Sequence, residues 1–181
     1  VEKLRPDAIF VAAGSVPVIP SIEGIELASH ASEVYFGHKV GKRIVIIGGG
    51  LVGCEIALHL ANIGCEVVIV EAQERFARDA NFMHLDGMLK AFKGKAIKIL
   101  TSTICLKIES DGVTVNTKEG ERKLPSDTVL YAVGMKPRTE VEEMLRPLAL
   151  EVIQLGDCVR PAKVLEAVHT GYNAAMDLGD L

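Results

Sequence analysis

No apolar run in this chain approaches the roughly 18 residues that a membrane-crossing helix requires, so no span is expected. The opening residues, VEKLRPD, have no apolar stretch of the kind a secretory leader carries. There is no basic tail or basic patch, and the net charge is −4, so nucleic acid is not an expected partner. No two of the four cysteines (Cys54, Cys65, Cys105 and Cys158) have CxxC spacing, and no histidine pairs with a cysteine or carboxylate at ligand spacing. A redox dithiol, a zinc site or an iron–sulfur site is therefore not expected within these residues. Free thiols in a reducing, cytoplasmic compartment are expected instead. The serines, histidines and cysteines form no convincing triad, so no catalytic side chain and no metal ligand are assigned.

What is present is concentrated in residues 44–71. IVIIGGGLVGCE places a β-branched run directly before Gly48-x-Gly50-x-x-Gly53. The apolar helical pattern ALHLANIG follows, and a second β-branched run, EVVIV, ends on Glu71, about 20 residues further on. Strand, glycine turn, helix, strand and terminal acid, in that order, form the pattern that binds the ADP half of a dinucleotide. Gly48 allows the tight turn, Gly50 lets the backbone approach a pyrophosphate, and Gly53 lets the helix pack closely. The helix N-terminus, with Leu51 and Val52, offers unpaired N–H groups to phosphates. Glu71, with Ala72 beside it, is positioned to accept hydrogen bonds from the adenosine ribose. A 2′-phosphate there would meet like charge, so NAD(H) is expected over NADP(H). Arg75 and Arg78 follow closely, and either could reach a phosphate.

The rest of the chain has enough length for one hydrophobic core or one and a half. AIFVAA at 8–13 predicts a buried strand ending at Gly14, and SVPVIPSIEG a proline-broken loop. Residues 29–40 read as a polar connector. Strands are expected at 43–47, 66–70 and 96–100, with helices at 51–63 (stopped by Gly64) and 80–92. Met83, Met88 and Phe92 are expected in the core. ICLKIES, GVTVNT and ERKLP predict an antiparallel ribbon of two or three strands, with Asp111-Gly112 and Glu119-Gly120 as turns. TVLYAV at 128–133 then returns to a parallel sheet and ends at Gly134. One or two helical turns at 139–146, a strand at 151–155 and a closing helix at 162–176 complete the pattern. The expected class is α/β: a Rossmann-like three-layer dinucleotide domain with an antiparallel ribbon at 41–147. Parts of an incomplete second α/β domain flank it at 1–40 and 148–181.

Four stretches in this order, DAIFVAAGSVPVIP, IVIIGGGLVGCEIALHLA, DTVLYAVGMKPR and VIQLGDC with its helix, resemble the pyridine nucleotide-dependent flavoprotein reductases of glutathione reductase fold. The resemblance covers nearly the whole chain. The tail VIQLGDCVRPAKVLEAVHTGYNAA and the short run from Pro137 to Gly156 are most similar to the NADH:flavin oxidoreductases related to 2-enoate reductase, 2,4-dienoyl-CoA reductase and trimethylamine dehydrogenase. The resemblance implies an NAD(P)H domain inserted into an FAD domain, beside an N-terminal barrel holding FMN and a [4Fe–4S] cluster. It also implies that Glu55 lies near the nicotinamide, that Gly134 brings backbone close to the dinucleotide, and that Asp157 bonds the FAD ribityl chain, with the loop after Gly14 nearby. Such an enzyme passes hydride from NADH to flavin and on to a small-molecule substrate.

The chain departs from the family in having one glycine-rich βαβ unit where the family has two. It is therefore expected to be a portion of a larger enzyme whose missing N-terminal part is its natural partner, inactive alone and able to self-associate through uncovered surface. Two other readings remain: a non-catalytic nucleotide-binding or docking module, and a flavin-free dehydrogenase. Intact glycines and Glu71 favour the flavin reductase. The flavin-free reading would need an acid–base group near the nicotinamide, which the sequence does not offer.

Overall fold

The structure is a computed structural model and describes residues 1–178. Two short strands, β1 (Ala8–Val11) and β2 (Ser15–Pro17), precede β3 (Ala28–His30), a 3-10 turn at Ala31–Phe36 and β4 (Arg43–Ile47). Helix α1 (Leu51–Asn62), β5 (Glu66–Val70), α2 (Phe82–Phe92) and β6 (Ile97–Leu100) follow. A ribbon of β7 (Ile104–Glu109), β8 (Gly112–Thr117) and β9 (Gly120–Pro125) comes next. The chain then passes through β10 (Thr128–Tyr131), β11 (Met135–Pro137), α3 (Thr139–Leu145), β12 (Glu151–Gln154) and α4 (Val164–Asp177).

The chain divides into two units. One comprises Ile19–Gly134 and the other residues 1–18 with those from 135 onward. Sequence pattern places the junctions near 40 and 147 instead. The earlier first junction has a physical cause: the supposed connector supplies β3, which pairs with β10 at the sheet edge. The second shifts because β11 pairs with β2, and Pro17 sits in that short antiparallel pair where a plain loop is predicted.

In the Ile19–Gly134 unit a parallel sheet runs in the order β3-β10-β4-β5-β6. The β-branched runs RIVII and EVVIV form its centre because both of their faces are buried, as parallel strands require. Alternate residues serve opposite layers. Ile44, Ile46, Val67, Ile69 and Leu130 pack with Cys54, Ile56, Ala57, Leu60 and Met88 of the helices. Val45, Ile47, Val70, Val129 and Tyr131 pack with Cys105, Ile108, Val113 and Val115 of the ribbon. The result is the three-layer α/β arrangement. Gly112 opens β8 at φ +154°, where a Cβ would lie 2.3 Å from the Leu124 carbonyl oxygen, so the turn residue also permits close strand pairing. Met88 is buried and Phe92 partly so, but Met83 is 82% exposed. Asn81 caps α2 by accepting the His84 N–H, and Met83, five residues from Met88 and so about 140° away around the helix, faces outward.

In the other unit β1 and β12 form a parallel pair, from Ala8 opposite Glu151 to Val11 opposite Gln154. Among the described residues neither strand has another neighbour, so β1 is not the buried strand its composition suggests and Phe10 is exposed. On α4, Val164, Leu165, Val168 and Tyr172 are all exposed, and only Ala174 is buried.

Candidate functional site

The sheet order changes direction at β4: the chain moves outward through β5 and β6 on one side, while β10 and β3 lie on the other. A crevice outside the carboxyl ends of the strands at such a switch point is where open α/β sheets bind ligands. The glycine loop follows β4 at this point. Gly48 has φ +108°, and a Cβ there would lie 2.4 Å from the Ala132 carbonyl oxygen. In α1, a Cβ on Gly53 would lie 2.1 Å from the Gly48 carbonyl oxygen. These two positions are glycine because the protein itself occupies the space. Gly50 differs. It caps α1 at an ordinary φ of −67°, and a Cβ there would meet no atom within 4 Å. Of the three fingerprint glycines, Gly48, Gly50 and Gly53, it is Gly50 that leaves room for a ligand against bare backbone. Leu51 and Val52 follow in the first helical turn, where N–H groups lack intrahelical acceptors; the first bond of the helix runs from the Cys54 N–H to the Gly50 carbonyl, 3.1 Å.

Glu71 lies just beyond β5, and its carboxylate is held on both oxygens. The Gly49 N–H donates to Oε2 at 2.6 Å and the Gln73 N–H donates to Oε1 at 2.8 Å. A Cβ on Gly49 would come within 2.9 Å of the Glu71 Cβ, so the middle glycine of Gly48-Gly49-Gly50 is required for this contact. The Gly49 carbonyl accepts the Ala77 N–H at 2.7 Å. Ala77 is buried and has φ +48°, a left-handed conformation that costs a non-glycine residue energy and persists only where neighbours enforce it. The segment after β5 is thus folded back onto the glycine loop. Within it Arg78 donates from Nη1 to the Gln73 Oε1 at 3.1 Å, while Ala72 is exposed beside Glu71. Gly49, Gln73 and Ala77 are the site residues that pattern reading misses. The run of three glycines signals the first, and nothing in the sequence signals the other two.

Glu55 is one turn further along α1, and 3.6 Å separates its Oε1 from the His84 Nε2 of α2. Between these acids Cys54 is buried, and its thiol is pushed up to about 12 by burial, with the charges of Glu71 and Glu55 adding to the effect. It stays protonated at neutral pH and is a packing group. Cys105, similarly, is pushed up to about 11 by burial. Gly134, at φ +115°, has no atom within 4 Å of a notional Cβ, and it lies two residues past Ala132, which walls the Gly48 turn.

In the other unit the structure brings Gly14 and Asp157 to one cleft of about 460 Å3, lined also by Ala12, Lys163 and Gly171. Ser15 Oγ donates to Asp157 Oδ2 at 3.3 Å, and the Ala162 N–H donates to Oδ1 at 3.2 Å. Gly14 has φ +75° and open space at its Cβ position.

A family model described as pyridine nucleotide-disulphide oxidoreductase matches residues 1–171. The chain belongs to that family. It is 36% identical to a bilirubin reductase of Mediterraneibacter gnavus, with 94% of this chain and 27% of that protein covered. It is 33% identical to an NADH oxidase of Thermoanaerobacter brockii, covering 97% of this chain and 28% of the relative. Its fold superposes on a 2-naphthoyl-CoA reductase with a TM-score of 0.89 at 28% identity, over 94% of this chain and 27% of that one. The chain thus spans little more than a quarter of the length of these relatives. Among its described residues no helix is long and apolar enough to cross a membrane.

Proposed function

We propose that this chain is the NAD(H)-binding portion of an FAD-dependent oxidoreductase. The observation that carries the reading is the pairing of an open Gly50 at the N-terminus of α1 with a Glu71 carboxylate pinned beside it. The residues fit the ADP half of a dinucleotide. Gly50, Leu51 and Val52 would meet the pyrophosphate with backbone N–H groups and the positive end of the helix, while Glu71, with Ala72 alongside, would accept from the adenosine ribose hydroxyls. On the family resemblance Glu55 is assigned to the nicotinamide half, and Gly134 to a close approach of backbone to the dinucleotide. Gly14 and Asp157 would contribute to a flavin site, with Ser15 and the Ala162 N–H holding the carboxylate in place.

When bound, the nicotinamide supplies hydride and the flavin accepts it. The work of this chain is to bind and orient. No side chain in it is assigned as acid, base or nucleophile. The finer reading is an enoate reductase-type enzyme with FMN and a [4Fe–4S] cluster in another part. It is supported by the tail 152–175 and by similarity to the 2-naphthoyl-CoA reductase and to a cinnamate reductase of Clostridium sporogenes, 28% identical. The remainder of the parent enzyme is the proposed partner, and the final acceptor a small molecule.

The test is calorimetric titration of the chain with NADH and NADPH at one ionic strength. NADH should bind more tightly, and equal or tighter NADPH binding would overturn the assignment of Glu71.

A further inference from the structure

We infer that His30, at the carboxyl end of edge strand β3, is a positioning residue for the dinucleotide loop: its uncharged ring holds Tyr131, and through Tyr131 the Ala132 wall of the Gly48 turn. This rests on the dinucleotide reading and adds a proton-sensitive element to that site. The linkage is short. His30 pairs with Tyr131 across β3 and β10, and Tyr131 pairs with Ile47 across β10 and β4. Each is the last residue of its strand, so all three lie at the carboxyl ends where the glycine loop begins. The His30 and Tyr131 rings meet edge to face, with centroids 5.4 Å apart and planes at 64°. Tyr131 leads directly into Ala132. The Ala132 N–H donates to the Ile47 carbonyl at 2.7 Å, and its own carbonyl oxygen lies 2.4 Å from a notional Gly48 Cβ. The Ala132 Cβ also lies 3.6 Å from a notional Gly53 Cβ. One residue thus walls two of the three fingerprint glycines, and the residue before it is backed by His30.

The ring is badly placed to carry charge, being 8% exposed. Its Nδ1 shares a 2.7 Å hydrogen bond with Ser32 Oγ from the turn that follows, and Tyr131 faces it from β10. Among the described residues Glu33, in the same turn, is the charged group that acts on it, and that carboxylate also lies 3.8 Å from the His38 Nδ1. Burial outweighs Glu33 and holds the imidazole below its ordinary value, so the ring is neutral at about pH 7. Protonation makes both ring nitrogens donors and buries a charge, which then needs water or a partner. With β10 as the neighbour of β3 in the sheet, this edge can admit water without breaking the central strands. The ring then leaves Tyr131, and the wall of the Gly48 turn loses its backing. Dinucleotide affinity is therefore full above about pH 6.5, the ordinary imidazole value, and falls as pH drops through the lower folded value. An imidazolium acting directly on the pyrophosphate would give the opposite sign.

The probe is ADP-ribose, titrated calorimetrically into the chain between about pH 5 and 8. Wild-type affinity should fall by about threefold or more toward the acid end, the size of one aromatic ring contact. His30→Phe keeps a ring against Tyr131 and cannot take a proton. It should retain the neutral-pH affinity and give a flat profile. His30→Ala should be weakened at every pH, and His30→Phe thus rescues what His30→Ala loses. Circular dichroism at each pH establishes which samples are folded. Should a variant not fold, the wild-type His30 ring resonance followed by NMR gives the same test, since bound ADP-ribose should lower its titration midpoint further. A flat wild-type profile, affinity that rises with acid, a fall that persists in His30→Phe, full affinity in His30→Ala, or a midpoint that bound ADP-ribose leaves unchanged or raises overturns the role of His30 while the dinucleotide site stands. Failure of folded wild type to bind ADP-ribose at any of these pH values overturns the dinucleotide reading itself, and this inference with it.

Discussion

The two units of this chain spend similar side chains differently. In the Ile19–Gly134 unit, Ile44, Ile46, Leu60 and Ile69 are at most 1% exposed, because helices cover one sheet face and the ribbon covers the other. In the other unit, Val164, Leu165, Val168 and Tyr172 of α4 are all at least 59% exposed, and among the described residues β1 and β12 pair only with each other. Burial is worth about 1.5–3 kcal/mol per large aliphatic side chain. The first unit gains that many times over, and it can hold Ala77 in a left-handed conformation and a glycine loop in one shape. The second has a formed carboxylate cleft at Asp157 but few buried aliphatic groups behind it.

Truncation at matched positions should give the largest contrast. Ile46→Ala should cost about 2–5 kcal/mol of unfolding free energy. Leu165→Ala should change it by less than about 0.5 kcal/mol, as exposed positions do. Denaturant titration measures both, and comparable losses would break the comparison. The glycines sharpen it within the first unit. Gly50→Val should lower NADH affinity by about 100-fold or more, the loss of charge-assisted contacts worth about 3 kcal/mol, without lowering the unfolding midpoint. Its φ of −67° and open surroundings allow the fold to survive. Gly53→Val should instead unfold the loop, since its Cβ would strike the Gly48 carbonyl.

The cleft at Asp157 should be the weaker site. Mixed with FAD and desalted, the chain should retain no stoichiometric visible flavin absorbance, because one carboxylate cannot hold so large a cofactor. Retained colour would show that Gly14 and Asp157 belong to a fuller flavin site.

Acid should act on the first unit in two steps. Burial lowers the pKa of His30, partly offset by the Glu33 carboxylate. Its contribution to stability is therefore present above about pH 6.5, the unfolded value, and is lost as pH falls through the lower folded value. The Arg43 guanidinium and the backbone N–H groups of Arg43 and Lys42 hold Asp127 down to about 2. That contribution is present above about pH 4, the unfolded value, and fades as pH falls through the folded one. Thermal midpoints across this range should flatten in the upper step for His30→Asn and in the lower step for Asp127→Asn. The smallest effect should come from Leu165→Glu. It should reduce any self-association seen by sedimentation and leave NADH affinity unchanged.

The central strands were legible because parallel strands buried on both faces must be continuous β-branched runs, and RIVII and EVVIV admit no other use. The ribbon was legible for a related reason: a change to period two, broken by Gly112 and Gly120 where φ is positive. The loop 15–17 was not, because its pairing partner lies at 135–137 and nothing local in SVP signals a strand. Met83 was misplaced because it lies about 140° around the helix from Met88, outside the stripe that Met88 and Phe92 share.

Sequence by itself determined the order of elements around the dinucleotide fingerprint and the chemistry available there: bare backbone at Gly50, an acid at Glu71 and two nearby arginines. Only the tertiary structure decided which glycines are filled by protein and which faces open space. It also decided that Gly49 and Gln73 brace the acid, and that Arg78 bonds the Gln73 side chain. Spacing along a chain specifies which groups can meet through local periodicity. Contacts between a loop and a turn more than 20 residues away depend on how the intervening helix and strand pack, and that packing is a property of the whole core.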